Sequence, residues 1–296
     1  MATLREIRRR ISGVKSTEKI TKAMKMVAAA KLRRAQSALS AARPYSRKIG
    51  ELMQHLATTS DFVGNRLVVK RDIAKVAVVA VTADRGFCGA FNSNIIKTTI
   101  ELIRSEYSNL DALGRVNLFT VGKKGSDFFS KRKFNVAGNY SGIFHDLTFA
   151  VAENLASAII RGYLAGDYDR VDIVYNEFKS VMRQRLVIEQ FLPIPADELM
   201  KEKKHVELNY IYEPDKASIV SALIPKHLEY QLWRILLESN AAAEGARMAA
   251  MDNASENAFE LIQALSLQYN KARQGAITKE LLEVVSGAEA LTSSAG

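Results

Sequence analysis

Two glycine-containing turns follow strand-like apolar runs in this 296-residue sequence, the place where phosphate-binding loops occur. The first is Asp84-Arg85-Gly86-Phe87-Cys88-Gly89, after the run 73–82 (IAKVAVVAVT). A dinucleotide fingerprint needs G-x-G-x-x-G so that backbone amides approach a pyrophosphate, with an acidic residue after the second strand to hold the ribose. This turn has neither feature and reads as a structured loop. The second is Gly122-Lys123-Lys124-Gly125-Ser126. A P-loop requires G-x-x-x-x-G-K-[ST], and the second glycine with its adjacent lysine is missing, so this reads as a strand-to-helix turn. The histidines His55, His145, His205 and His227 are scattered, without the spacing of a zinc site. Cys88 has no activating neighbour in sequence and reads as a buried or loop thiol. As the only cysteine it excludes an internal disulfide and suits a reducing compartment. No cofactor, metal or catalytic residue is expected, which points to a mechanical or binding role.

The charge is concentrated. Residues 1–50 hold fourteen Lys and Arg against only Glu6 and Glu18, a net +12 in a chain whose total is +10. A basic arm of this kind implies an acidic partner: nucleic acid, anionic lipid or an acidic protein surface. The start, MATLREIRRR, has no apolar core or cleavage site for secretion. It is Arg-rich like a transit peptide, but its helical pattern continues for more than 50 residues, as in mature structure. No apolar run approaches the 18 residues of a membrane span.

These positions need elements to hold them. From residue 4 to about 58 a helical seam runs through Leu4, Ile7, Ile11 and Val14. After a slip in phase it continues through Ile20, Met24 and Val27, then Leu32, Ala35, Leu39 and Ala42. A helix of that length, about 80 Å at 1.5 Å per residue, needs a partner along it. Pro44 should kink or locally open it. From about 215 to 285 a second seam runs through Leu228, Leu232, Ile235, Ser239, Ala242, Ala246 and Ala249, then Ala258, Ile262, Leu265, Tyr269, Ala272 and Ala276. Pro225 should lie in an opening turn or mark a bend. Alanine in the middle third lets helix axes approach closely. The two ends are expected to pair as an antiparallel coiled coil, and residues 216–296, with seven basic and nine acidic residues, complement the basic arm.

Between them the pattern changes class. Strands are expected at 73–82, 116–121, 171–178, 181–191 and 206–212. Helices are expected at about 92–107, from Ser126, and within 144–165, with an exposed connector at 193–204. Alternating strands and helices predict a mainly parallel sheet. The fold class is therefore α/β: a long antiparallel coiled coil of the terminal helices (1–60 and 215–290) plus a central Rossmann-like α/β domain (70–212).

Three stretches resemble the gamma subunit of the F-type ATP synthase: residues 7–31 with their ITKAMKMVAAAK core, the loop DRGFCGAFN at 84–92, and the C-terminal Ile277-Thr278-x-Glu280-x-x-Glu283-x-x-x-Gly287-Ala288-x-Ala290, preceded by NKARQ at 270–274. The resemblance covers essentially residues 1–290. It implies a central stalk that is not itself an enzyme. Its coiled coil would fill a ring of alternating alpha and beta subunits, and its α/β domain would meet the epsilon subunit and the membrane c ring. Ion flow would turn the ring, and catalysis would reside in the beta subunits. Carried over by motif, Met24 faces an acidic lever loop of the beta subunit and Arg34 and Arg85 form an ionic track along it. Arg273 and Gln274, with Thr278 close by, meet a catch loop. The resemblance further implies no nucleic acid, membrane association only through the complex, and the cytoplasmic face of a bacterial plasma membrane. A lone Cys88 excludes the regulatory dithiol of the chloroplast form. The alternative is a basic coiled-coil protein that binds nucleic acid, although in basic zippers the basic region precedes the apolar seam.

Overall fold

The computed structural model describes residues 3–56, 62, 64–195, 213 and 215–294, with side chains for all of these except 46, 47, 54, 55 and 289–294. In chain order the elements begin α1 (Leu4–Leu56), β1 (Val76–Val81), α2 (Phe91–Glu106), α3 (Ser108–Ala112) and β2 (Val116–Val121). They continue α4 (Lys123–Lys131), β3 (Val136–Tyr140), α5 (Phe149–Ala165), β4 (Arg170–Phe178), β5 (Gln184–Leu192) and α6 (Lys216–Ser294). Two compact units are formed, Met1–Val27 with Ala250–Gly296, and Ala28–Ala249.

In the first unit α1 and α6 pair antiparallel. The hydroxyls of Thr21 and Ser255 lie 2.7 Å apart, and Lys25 Nζ donates to Asp252 Oδ1 at 2.6 Å. Flanked by the part-buried 4, 24, 250, 254 and 266, a series of sheltered positions runs through 7, 11, 14, 18, 21 and 25 on α1, and 251, 255, 258, 262, 265, 269 and 272 on α6. They step alternately by four and three, the 3.5-residue repeat of a coiled coil. The expected seam is corrected here. Ile20 and Val27 are 58% and 56% exposed, while Glu18, Thr21 and Lys25 occupy the seam positions. There is no slip in phase; polar residues continue the repeat, since the opposing helix supplies Ser255 and Asp252 to them. On α6 the expected Ala276 is exposed, as is every side chain from 273 to 288. The start of α1 is closed by a capping box. Thr3 N donates to Glu6 Oε2 at 2.9 Å, and Glu6 N to Thr3 Oγ1 at 3.3 Å.

In the second unit a five-stranded sheet has the order β3-β2-β1-β4-β5, parallel except for β5, which returns antiparallel on β4. The central strand VAVVAV is buried throughout, as a parallel strand covered on both faces must be. Its alternate residues divide between two cores. Ala77, Val79 and Val81 pack with α5 (Leu155, Ile159, Tyr163), α1 (Ile49, Met53, Leu56) and the first turns of α6 (Ile224, Leu228, Leu232). Val76, Val78 and Ala80 pack with α2 (Ile95, Leu102, Ile103), Phe129 of α4 and the small residues Ala242 and Ala243 of α6. Within this unit Leu32 and Ala35 of α1 meet Ala241 of α6, and the rings of Tyr45 and Tyr230 are 4.1 Å apart.

The expected long terminal helices and mainly parallel sheet are therefore present. The elements that differ have local causes. Strand β3 reads VAGNY, too short and glycine-rich to register as a strand. Its Gly138 lies where a Cβ would come 2.5 Å from the Phe119 ring, so the neighbouring strand requires the glycine. The single-turn α3 went unpredicted, and β5 starts at Gln184 because Ser180 and Arg183 close a tight turn on each other. Neither proline ends its helix: Pro44 lies inside α1 and Pro225 inside α6. The expected strand at 206–212 and most of the connector, from 196, lie outside the described residues.

Candidate partner-binding surfaces

The two glycine-containing turns face each other at the ends of β1 and β2, and a carboxylate of the chain itself bridges them. Asp84 Oδ1 accepts from the backbone amides of Lys123 at 2.9 Å and Gly142 at 2.7 Å, and its Oδ2 from that of Phe144 at 3.0 Å. Gly125 N donates to Thr82 Oγ1 at 2.8 Å, and Lys124 N to Ala83 O at 3.2 Å. Amides at a helix start attract anions, and here an internal carboxylate takes that position. Gly122 (φ 85°) allows the close fit, since a Cβ there would lie 2.1 Å from Thr82 O.

The loop after β1 is clamped from several sides. Arg247 of α6 donates from Nε to Gly86 O at 3.2 Å and from Nη2 to Arg85 O at 3.3 Å, and pairs with Glu244 at 2.5 Å. Asn92 accepts from Ala83 N at 2.8 Å and donates to Cys88 Sγ at 3.1 Å. Burial pushes the Cys88 thiol pKa up, with Arg247 opposing it, which disfavours the reactive thiolate. A cavity of about 50 Å³ lies beside the clamp, lined by Lys31, Asp84, Arg85, Ser239, Glu244 and Arg247 among others.

A second charged cluster in this unit is built around Glu189. Glu189 accepts from Arg234 at 2.8 Å, Gln231 at 2.7 Å and Tyr175 at 2.7 Å. Desolvation opposes its ionisation, but these donors hold its pKa below the usual value. His227 is neutral, its pKa lowered to about 4 by burial and then by Arg234. Among the described residues no group of three His, Cys, Asp or Glu could hold a metal ion, and no helix is long and apolar enough to cross a membrane. His205 lies outside the described residues.

The sequence-derived contact residues are divided between the two units. In the first, Met24 is half-buried, and Arg273, Gln274 and Thr278 are exposed on α6, where Thr278 Oγ1 donates to Gln274 O at 2.9 Å. Past Ala272 the same helix exposes Ile277, Leu281, Leu282, Val284 and Val285, each 49–70% accessible. Arg5, Arg8, Arg9, Arg10, Lys15 and Lys19 of α1 are exposed as well, a solvated cationic surface. In the second unit Arg34 is exposed on α1 and Arg85 on the clamped loop. Sequence reasoning missed Glu244 and Arg247, whose i,i+3 spacing is a weak signal within an alanine-rich helix, and it passed over Phe87, exposed at the loop tip.

A family profile described as ATP synthase matches residues 3–291. The chain is 50% identical over 304 residues to the ATP synthase gamma chain of Chloroherpeton thalassium, with all of both chains covered. It is 52% identical to that of Chlorobaculum tepidum, covering 98% of this chain and 99% of the relative. Among solved structures it is similar to a chain of the Tetrahymena thermophila mitochondrial ATP synthase central stalk and c ring, with a TM-score of 0.63 and 27% identity over 80% of this chain and 99% of that one. A chain of the Euglena gracilis mitochondrial ATP synthase shares the fold, with a TM-score of 0.67 at 21% identity, covering 97% and 94% of the two chains.

Proposed function

Because this chain belongs to the ATP synthase gamma chain family, we propose that it is the central rotating stalk of an F-type ATP synthase, coupling ion-driven rotation of a membrane c ring to ATP synthesis or hydrolysis. Catalysis belongs to the beta subunits; this chain transmits twist and needs no cofactor. Its partners are the alpha and beta subunits, the epsilon subunit and the c ring, and it meets the membrane only through that complex, on the cytoplasmic face of a bacterial plasma membrane.

The observation that carries this reading is the stretch of α6 from 273 to 288, helical yet exposed at every residue, with five large apolar side chains open to solvent. A helix exposed all round is stable when a partner encloses it. A ring of alternating subunits supplies such a sleeve. Arg273, Gln274 and Thr278 on that stretch contact the beta subunit's catch loop, and Met24, Arg34 and Arg85 contact its acidic lever. Exposed ion pairs contribute only about 0–1 kcal/mol each, so a cationic track attracts a lever without locking it.

The test is assembly. Mixed with alpha and beta subunits from Chlorobaculum tepidum, the chain is expected to co-purify with a nucleotide-hydrolysing hexamer. Restored to membranes with the c ring, it is expected to support ATP-driven ion pumping. A chain that stays outside the hexamer and instead binds duplex DNA at physiological salt, with steep salt dependence, would be the nucleic-acid-binding coiled coil.

A further inference from the structure

Phe87 combines two unfavourable features, exposure and a left-handed backbone. It is 71% exposed, among the most exposed large apolar side chains described, and its φ of 60° lies in the left-handed region that bulky residues avoid. The other described non-glycine residue with positive φ, Lys133 at 61°, directly follows Arg132, the residue that ends α4, where left-handed residues commonly terminate helices. Phe87 follows a strand and has no such reason.

The loop holds this conformation firmly. Arg247 fixes the carbonyls of Arg85 and Gly86 on one side of Phe87. On the other side Cys88 is 2% exposed, its Sγ accepts from Asn92 Nδ2, and its carbonyl accepts from Phe91 N at 3.2 Å. The phenyl group therefore projects from a tip whose neighbours on both sides are fixed. An aromatic ring already held in place loses little conformational freedom when a partner covers it, which is how rigid anchors gain affinity. Two residues earlier, Arg85 exposes the cation nearest in sequence, while Arg247 is neutralised by Glu244.

We propose that Phe87 is a docking knob, which inserts into an apolar socket rimmed by carboxylates on the subunit that Arg85 meets. Phe87 supplies the buried anchor and Arg85 steers and orients it. The proposal rests on the assembly reading above and adds to it the residue that fixes this contact and the chemistry of its counterpart. Aromatic anchors surrounded by near-neutral contacts carry a disproportionate share of interface energy.

Competitive assembly tests it. Wild-type chain and a tagged variant, at equal concentration, are assembled with limiting alpha and beta subunits, and their ratio in the purified complex is measured. Phe87→Ala is expected to be out-competed by about tenfold or more, while Phe87→Leu, which keeps an apolar knob, stays within about threefold. Thermal unfolding of the full-length chain alone separates this from a folding defect. Phe87→Ala and Phe87→Gly should unfold no earlier than wild type, since the side chain is 71% exposed in the native chain and glycine relieves the left-handed strain. Equal incorporation of Phe87→Ala into active complexes overturns the knob while leaving the stalk function standing. An early-unfolding Phe87→Gly variant also overturns it, since the ring would then serve the chain's own fold. Failure of the wild-type chain to enter the ring removes both readings.

Discussion

Asp84→Ala asks whether the chain's own carboxylate holds the two turns together. Three backbone amides, from Lys123, Gly142 and Phe144, lose their shared acceptor. Hydrogen bonds to a charged acceptor are each worth about 1.5–3 kcal/mol when sheltered. Asp84 is half-buried and water can reach the Lys123 and Gly142 amides, so about 1 kcal/mol each is the appropriate scale, about 3 kcal/mol together. For a chain of this size that corresponds to a melting temperature lower by about 6–12 °C. Asp84→Asn is the informative companion. Its Oδ1 can still accept from Lys123 and Gly142, but its amide group opposes the Phe144 N–H with a second donor. It should therefore lie between wild type and Asp84→Ala. Urea and thermal unfolding of the full chain, followed by circular dichroism, read both variants. If Asp84→Ala stays within about 0.5 kcal/mol of wild type, the internal-anion account is wrong, because three orphaned amides cannot be that cheap.

Three further outcomes are expected. Ending the chain after Ala272 removes no buried side chain among the described residues, so the isolated protein should melt within about 1 °C of the full chain, while ATP-driven ion pumping by the assembled complex falls more than assembly does; intact pumping would show that this stretch of α6 is not the working part. Replacing Thr21 by Val should destabilise by about 1 kcal/mol, and the double variant with Ser255→Ala should lose little more, giving a coupling of about 0.5–1.5 kcal/mol in a double-mutant cycle. His227 makes stability pH-dependent. Its folded pKa is about 4 against 6.5 unfolded, so as pH falls below 6.5 the unfolded chain takes up a proton that the folded chain refuses. Up to about 3 kcal/mol, present above pH 6.5, should be lost by pH 4, and His227→Phe should flatten that part of the urea-midpoint profile.

Much of the architecture was legible because it follows from periodicity. The VAVVAV run of β1 and the helical seams at both ends identify their elements directly. The error within the seam is instructive. Counting only apolar residues selected Ile20 and Val27, both exposed, because the true repeat passes through Glu18, Thr21 and Lys25. No apolar scale assigns lysine to an interface; its place depends on Asp252, more than 200 residues away. Strand β3 was invisible for a similar reason, its glycine being explained only by the Phe119 ring on the neighbouring strand. The rejection of a phosphate loop at Gly122–Ser126 rested on missing glycine and lysine positions. The physical ground, Asp84 capping the turn from 39 residues upstream, is a tertiary fact. Likewise Arg85 was available from its motif, but the Arg247 clamp that fixes its backbone was not.

The Thr21–Ser255 contact has a mechanical consequence. An uninterrupted heptad pattern fits itself again after sliding by seven residues, so two helices joined only by apolar contacts could creep past one another under sustained shear. Here a one-heptad creep would set Thr21 against Ile262 in one direction, or Ser255 against Val14 in the other, and would part Lys25 from Asp252. Each misaligned hydroxyl costs about 1 kcal/mol. Small polar side chains thus act as a detent, giving an otherwise self-similar pair of helices a single resting alignment under load.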